Sequence, residues 1–256
     1  MINRQRAKAE FQVAMMLLTR LPEGRLAAPI PELSTAVWAF PVVGLLVGTI
    51  GATGLALALW FGLAPTTAAG IAVMVSILAT GGLHEDGLAD LADGFGGGQT
   101  RARKLEIMRD SRIGSYGTLA LIFSVGLRWQ SIAVLAAINP WAAVYGIIAV
   151  AMTTRAGLPA MMVGLPPARA AGLGHAASGG GWTGAAIAVA IGCVGAFALL
   201  GPLAGGAVAL AVGFAVLALG MLALRQIGGQ TGDVLGAGQQ ISEVAAWLVL
   251  QTLLVP

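Results

Sequence analysis

LSTAVWAFPVVGLLVGTIGATGLALALWFGLAPTTAAGIAVMVSILATGGLH, residues 33–84, contains no Asp, Glu, Lys or Arg. The tract between Arg169 and Arg225 is equally free of charge. A helix crosses the hydrocarbon core of a bilayer in about 20 apolar residues, so each tract is long enough for two crossings. Composition agrees: of 256 residues 57% are hydrophobic and only 10% charged, with a mean hydropathy of +0.87. A soluble domain carries roughly 25% charged residues, and this chain has too few to cover a surface facing water. The 38 glycines have no three-residue period and sit among Leu, Val, Ile and Ala, as in closely packed membrane helices. The sequence excludes a soluble enzyme and a disordered chain.

Breaking the apolar runs at their turns predicts an all-α integral membrane protein of about seven transmembrane helices, forming one polytopic domain over 1–256. The breaks are GLAP at 62–65, Asn139-Pro140 and Gly201-Pro202. Spans are expected near 36–60, 64–83, 116–138, 141–163, 183–200, 203–224 and 241–255, the last short enough to be re-entrant or surface-lying. Residues 1–35 form an N-terminal segment in which 8–20 read as an amphipathic helix on the membrane surface. Arg4, Arg6, Lys8, Arg20 and Arg25 precede the first span and place the N-terminus in the cytoplasm. Loops 84–115, 164–182 and 225–240 then return to that side, whereas the opposite turns are uncharged. The net charge of +3 needs no further cause, and no nucleic-acid partner is expected. A single cysteine, Cys193, excludes a disulfide framework and a multi-cysteine metal site.

Six of the eleven acidic residues fall between Glu85 and Asp110. Asp86, Asp90 and Asp93 are spaced i, i+4, i+7 and lie within roughly a 60° arc of a helix. Three carboxylates on one stripe repel each other unless a cation lies among them, and hard oxygen ligands favour Mg²⁺ or Mn²⁺. The alternative is an acidic helix end in solvent, which the apolar Leu88, Ala89, Leu91 and Ala92 disfavour. Asp86-Gly87 and Asp93-Gly94 read as positions of close backbone approach. Glu85 points about 100° from the stripe and is the weaker ligand candidate.

Arg101, Arg103, Lys104, Arg109 and Arg112 follow. Guanidinium groups beside a divalent metal suit a diphosphate, whose terminal oxygens they hold in pairs. Attraction to anionic membrane lipid is the alternative, stronger for Arg101, Arg103 and Lys104 and weaker for Arg109 and Arg112. Ser111 can cap the next helix, and His84 stands as ligand, base or interfacial histidine. A second island, GGQTGDVLGAGQQISE at 228–243, carries Gly232, Asp233 and Glu243. Gly-rich backbone there lets N–H groups approach phosphate closely. The loop with Arg169 and His175 suits a lid or a linker. Arg155 can snorkel to the interface, whereas Arg128, near mid-span, needs a buried partner.

GLHEDGLADLADG at 82–94 and EIMRDSRIG at 106–114 resemble the core of the cobalamin synthase family. Phe11, Leu18-Thr19-Arg20-Leu21-Pro22, Phe40-Pro41-Val42-Val43-Gly44 and Gly228-Gly229-Gln230-Thr231-Gly232-Asp233 extend the likeness in order along the chain. Residues 120–220 match only in hydrophobic character. The resemblance implies a bacterial inner-membrane enzyme with its site facing the cytoplasm. Such an enzyme joins adenosylcobinamide-GDP to α-ribazole or its 5′-phosphate with Mg²⁺ and releases GMP. In that chemistry a ribose hydroxyl attacks an activated diphosphate. Asp86, Asp90 and Asp93 are then expected to hold the metal, and Arg109 and Arg112 to clamp the diphosphate. Asp110 or His84 would be the base, and Arg101, Lys104, Gly232 and Asp233 would bind substrate. Homo-oligomerisation stays open. A CDP-alcohol phosphotransferase would separate its aspartates more widely and include an Ala-Arg pair. A cation-coupled transporter would carry its carboxylates mid-span, whereas here every acid maps to an edge or loop.

Overall fold

The computed structural model describes residues 4–26, 28–170, 172 and 180–254. His175 and most of the proposed lid lie outside the described residues. The chain runs through α1 (Arg4–Leu18), α2 (Leu33–Ala36), a 3₁₀ turn (Val37–Ala39), α3 (Phe40–Trp60), α4 (Pro65–Thr80) and α5 (Leu83–Gly97). It continues through α6 (Arg101–Ile107), α7 (Ser115–Ile138), α8 (Pro140–Gly164), α9 (Trp182–Ile227) and α10 (Gly232–Leu254). Among the described residues no strand forms; one isolated parallel bridge joins Pro167 to Gln230.

Four helical stretches are long and apolar enough to cross a membrane: Leu33–Trp60, α7, α8 and α9. The pair α4–α5, bent by 88°, counts as a fifth only if the two are taken as one broken span. Gly81 and Gly82 take the left-handed conformation at that bend (φ 65° and 70°), which a side chain disfavours. α5 holds Glu85, Asp86, Asp90 and Asp93 and turns sharply away from the apolar α4. The 46 residues of α9 are interrupted at Gly201, whose φ of 77° and ψ of 174° are not helical. This is the break that Gly201-Pro202 predicts.

α8 forms the middle of the bundle: 78% of its most apolar window is buried, against 39–44% in the other three. α3 approaches it through small residues, and a Cβ at Gly44 would lie 2.4 Å from the carbonyl oxygen of Ala151. Without a hydrophobic force between helices in lipid, such close backbone packing supplies the attraction. Outward faces are apolar, with Leu210 and Phe214 about three-quarters exposed.

Two expectations are corrected. The polar stretch 84–115 is largely helical, and the island at 228–243 is a loop only as far as Thr231. Its glycines serve helix contact rather than flexibility, and α10 begins nine residues before the expected span. Arg155 does not snorkel. It is 3% exposed and donates from Nη1 to the Ala151 carbonyl at 3.1 Å. The N-terminal helix is present, docked through Glu10, which accepts from Trp38 Nε1 at 2.7 Å and pairs with Arg6 at 2.9 Å.

Candidate functional site

The site is built where α5 crosses α10. A Cβ on Gly87 would lie 3.0 Å from the Asp233 carbonyl oxygen and 3.1 Å from the Gly236 Cα. Only bare backbone allows that approach, and it brings Asp233 to the stripe of Asp86 and Asp90. Gly87→Val should therefore separate the two helices, with an overpacking cost of about 1–3 kcal/mol. Its melting temperature in detergent should fall together with its activity, and an unchanged melt would refute the contact.

The three spaced aspartates have different surroundings. Asp86 is exposed, Asp90 half-buried and Asp93 buried. Burial, and then the charges of Asp86, Asp233 and Asp93, push the Asp90 carboxyl up to about 7. Burial likewise raises Asp233, with Arg169 opposing. Asp93 is engaged with backbone instead. Its Oδ2 accepts the Gly114 N–H at 2.6 Å and its Oδ1 the Gly117 N–H at 2.9 Å. It caps the N-terminus of α7 from another helix, satisfying donors that α7 itself leaves open. Ser111 does not provide that cap; the residue at the cap position is Gly114.

The basic residues also divide. Arg112 forms a two-bond pair with Asp110 (3.0 and 2.7 Å) on an exposed turn. That pairing holds Asp110 down at about 2, which leaves it a weak base. The Arg109 side chain is exposed nearby. Arg101 folds inward, donating to the Ala168 carbonyl at 3.3 Å and packing on Gly228. Lys104 is buried, bonded to Gln226 and 5.6 Å from the centre of the Phe95 ring. Both therefore hold α6 against the 166–168 and 226–230 segments.

Two arginines that sequence reasoning gave no role stand beside the carboxylates. Arg169 pairs with Asp233 (3.4 Å) and donates to the Leu105 carbonyl (3.3 Å). Its signal was its isolation, as the only Lys, Arg, Asp or Glu between Arg155 and Arg225. Arg20 packs across Gly81 and lines an open cavity of about 470 Å³ with Asp86, Asp90 and Ser111. On the adjoining face of α5, Asp86 also borders a cavity of about 300 Å³ that it shares with His84, Gly232 and Asp233. His84 is 2% exposed, and among the described residues its Nε2 has no hydrogen-bond partner.

Behind the site lies an interior polar cluster. Arg128 has the buried partner that its mid-span position demands: it pairs with Glu85 at 3.0 Å and Glu243 at 3.5 Å. Gln240 donates to Glu85 (3.0 Å) and Gln239 to Glu243 (2.6 Å). Glu85 and Glu243 are thus drawn inward, contrary to the expectation that every acid lies at an edge or loop. Glu85's offset from the aspartate stripe is what points it there.

Among the described residues, no three His, Cys, Asp or Glu side chains converge on a single ion position. Mg²⁺ does not require that. It keeps several waters and commonly takes one or two carboxylates together with substrate phosphates. Adjacent carboxylates whose mutual repulsion raises proton affinity, beside two arginines, fit that demand.

The family model for cobalamin-5-phosphate synthase matches residues 10–251. The chain belongs to the cobalamin-5-phosphate synthase family. A relative from Bradyrhizobium diazoefficiens is 47% identical over 94% of this chain and 92% of its own length. One from Mesorhizobium japonicum is 47% identical with the same coverage, and one from Shewanella pealeana 37% identical over 95% of both chains. All three are named adenosylcobinamide-GDP ribazoletransferase, so the relatives are transferases. No solved structure matches. The family match runs from α1 to α10 and so includes both helices of the crossing that assembles the carboxylates.

Proposed function

We propose that the chain transfers the adenosylcobinamide-phosphate group of adenosylcobinamide-GDP to α-ribazole or its 5′-phosphate and releases GMP. The observation that carries this is the position of Asp86, between two cavities and next to Asp90 and Asp233. A group-transfer enzyme must hold a donor and an acceptor on opposite sides of one reacting centre. Relatives named for this reaction support the choice of substrates.

In this reading the diphosphate lies in the open cavity, where Arg20 faces it. Arg169, held by Asp233 and the Leu105 carbonyl, supplies the second positive charge. Arg112 is committed to Asp110, and Arg109 and Arg112 stand on the exposed turn, so we place the phosphate-facing charge on Arg20 and Arg169. Asp86 and Asp90, with Asp233 beside them, would offer Mg²⁺ one or two carboxylates, and the ion would supply charge neutralisation at the diphosphate. Asp93 fixes the start of α7, and Arg101 and Lys104 fix α6. His84, in the wall of the adjoining cavity, is the residue we assign to the acceptor's hydroxyl. The oxygen of that hydroxyl forms the new bond to the phosphorus bearing the cobinamide, its proton passes to water at the open cavity, and the P–O bond to GMP breaks with GMP leaving as its phosphate anion.

The direct test is GMP release by purified protein supplied with adenosylcobinamide-GDP and α-ribazole. Release is expected with Mg²⁺ and its loss with EDTA. No release under either condition would end this reading.

We further infer seven crossings in the bacterial inner membrane, with α5, the 225–231 turn and the N-terminus in the cytoplasm. The charge-free turns at 61–64, 139 and 201 support this orientation. In a Cys193→Ala background, Ser111→Cys and Arg225→Cys should label only from the cytoplasmic side and Asn139→Cys only from outside. Opposite labelling of 111 and 225 would exclude a shared site.

A further inference from the structure

We propose that the cavity of about 300 Å³ between α1, α3, α5, α8 and α10 is the binding site for the apolar aromatic base of the acceptor nucleoside. The inference rests on the functional reading above and adds to it where the acceptor sits and what selects it.

One end of this cavity is polar and the other is not. Asp86 and Asp233 border it next to the carboxylate cluster, and His84 lines its wall. The rest is apolar, with Leu17 and Leu18 from α1, Phe40 from α3, Leu158 and Met162 from α8 and Leu235 from α10. A concave apolar chamber with a few convergent polar groups is the usual form of a small-molecule site, and this one lies at the small end of the size range. A corrinoid macrocycle does not fit that space. A nucleoside does, if its base is apolar enough to lie against leucine and phenylalanine with few ring polar groups left unpaired. Ribazole, a ribose joined to a methylated benzimidazole, has that division: an apolar bicyclic base and a hydroxylated sugar. With the base among the leucines, the sugar is directed to His84 and Asp86, the side facing the diphosphate.

The wall also suggests the basis of selection. A purine carries exocyclic and ring groups that need hydrogen-bond partners, and the leucine, phenylalanine and methionine side chains offer none. A purine therefore incurs a larger desolvation cost against this wall than a benzimidazole, which has a single ring nitrogen to leave unpaired.

The test uses full-length protein in detergent. Two variants alter the apolar wall from different elements: Leu158→Ala on buried α8 and Leu17→Ala on the half-exposed face of α1. Neither touches the carboxylates. We expect each to raise the KM for α-ribazole by about tenfold or more, as loss of methylene contacts in a hydrophobic pocket does. The KM for adenosylcobinamide-GDP should stay within about twofold of wild type. Equilibrium dialysis of α-ribazole without the donor gives a readout apart from turnover. Affinity should fall in both variants. Unchanged acceptor KM and affinity in the folded variants, as expected of a chamber that holds a lipid chain, would overturn the proposal. So would an equal rise in both KM values. If Leu158→Ala does not fold, Leu17→Ala decides alone. Absence of GMP release by wild type would instead refute the functional reading, and binding of α-ribazole by dialysis would still judge the cavity.

Discussion

Asp90→Asn should lower GMP release by on the order of 10²–10³-fold, the usual effect of removing a charged group that acts on the transition state. Its melting temperature should hold or rise slightly. The sign of the second expectation follows from the surroundings of Asp90. Burial and three neighbouring carboxylates push its carboxyl up to about 7, so the fold disfavours the charge there. A neutral side chain of the same shape removes repulsion without removing packing. The same change at Asp93 should behave in the opposite way. That carboxylate accepts two backbone N–H groups, and leaving one of them unmatched costs about 1–3 kcal/mol. Asp93→Asn should therefore melt earlier, whatever it does to turnover. Parallel rate and melting measurements on the two variants check this. An Asp90→Asn protein with wild-type activity at low Mg²⁺ would remove Asp90 from the site.

The second large effect is expected from Arg128→Leu. The arginine is 3% exposed and lies between Glu85 and Glu243. Removing it leaves two carboxylates facing each other in the bundle interior. Breaking a buried pair from one side costs about 3–5 kcal/mol. Glu85→Gln should cost less, because Arg128 keeps Glu243 and the amide can still bond to its neighbours. Unfolding in detergent followed by circular dichroism measures both. Equal stability of Arg128→Leu and wild type would show that the cluster contributes nothing to the fold. The cluster joins α5, α7 and α10, the helices that carry Asp86, the cap site of Asp93 and Asp233, so the loss should reach activity too.

Much of this was legible in the sequence, and the reasons are specific. The uncharged tracts gave the membrane helices, because bilayer solvation leaves no other use for so many consecutive apolar residues. Gly201-Pro202 marked its break, and the mid-span Arg128 announced a partner, because both features are local. The helical stripe of Asp86 and Asp90 was visible for the same reason. What was hidden depends on contacts between distant segments. Nothing near Asp93 says that its oxygens meet Gly114 and Gly117. Arg169 looked like part of a linker because its partner, Asp233, lies far along the chain. Glu85 was discounted for pointing off the stripe, although the same angle turns it inward to Arg128. Lys104 and Arg101 looked like surface charges because their stems and carbonyl contacts have no sequence signature.

The cap that Asp93 places on α7 bears on how the family can vary. Most helices begin where their own flanking residues stop the preceding turn. α7 instead begins where a carboxylate from α5 meets Gly114 and Gly117, so its starting point is set from outside the connecting segment. The exposed turn at 109–113 is relieved of that duty, and α6 is separately anchored through Lys104 and Met108 against Gln226 and Gly94. An inserted residue or two at 109–113 should thus leave the membrane register of α7 untouched while moving Ser111 and Ile113 away from the open cavity that they line.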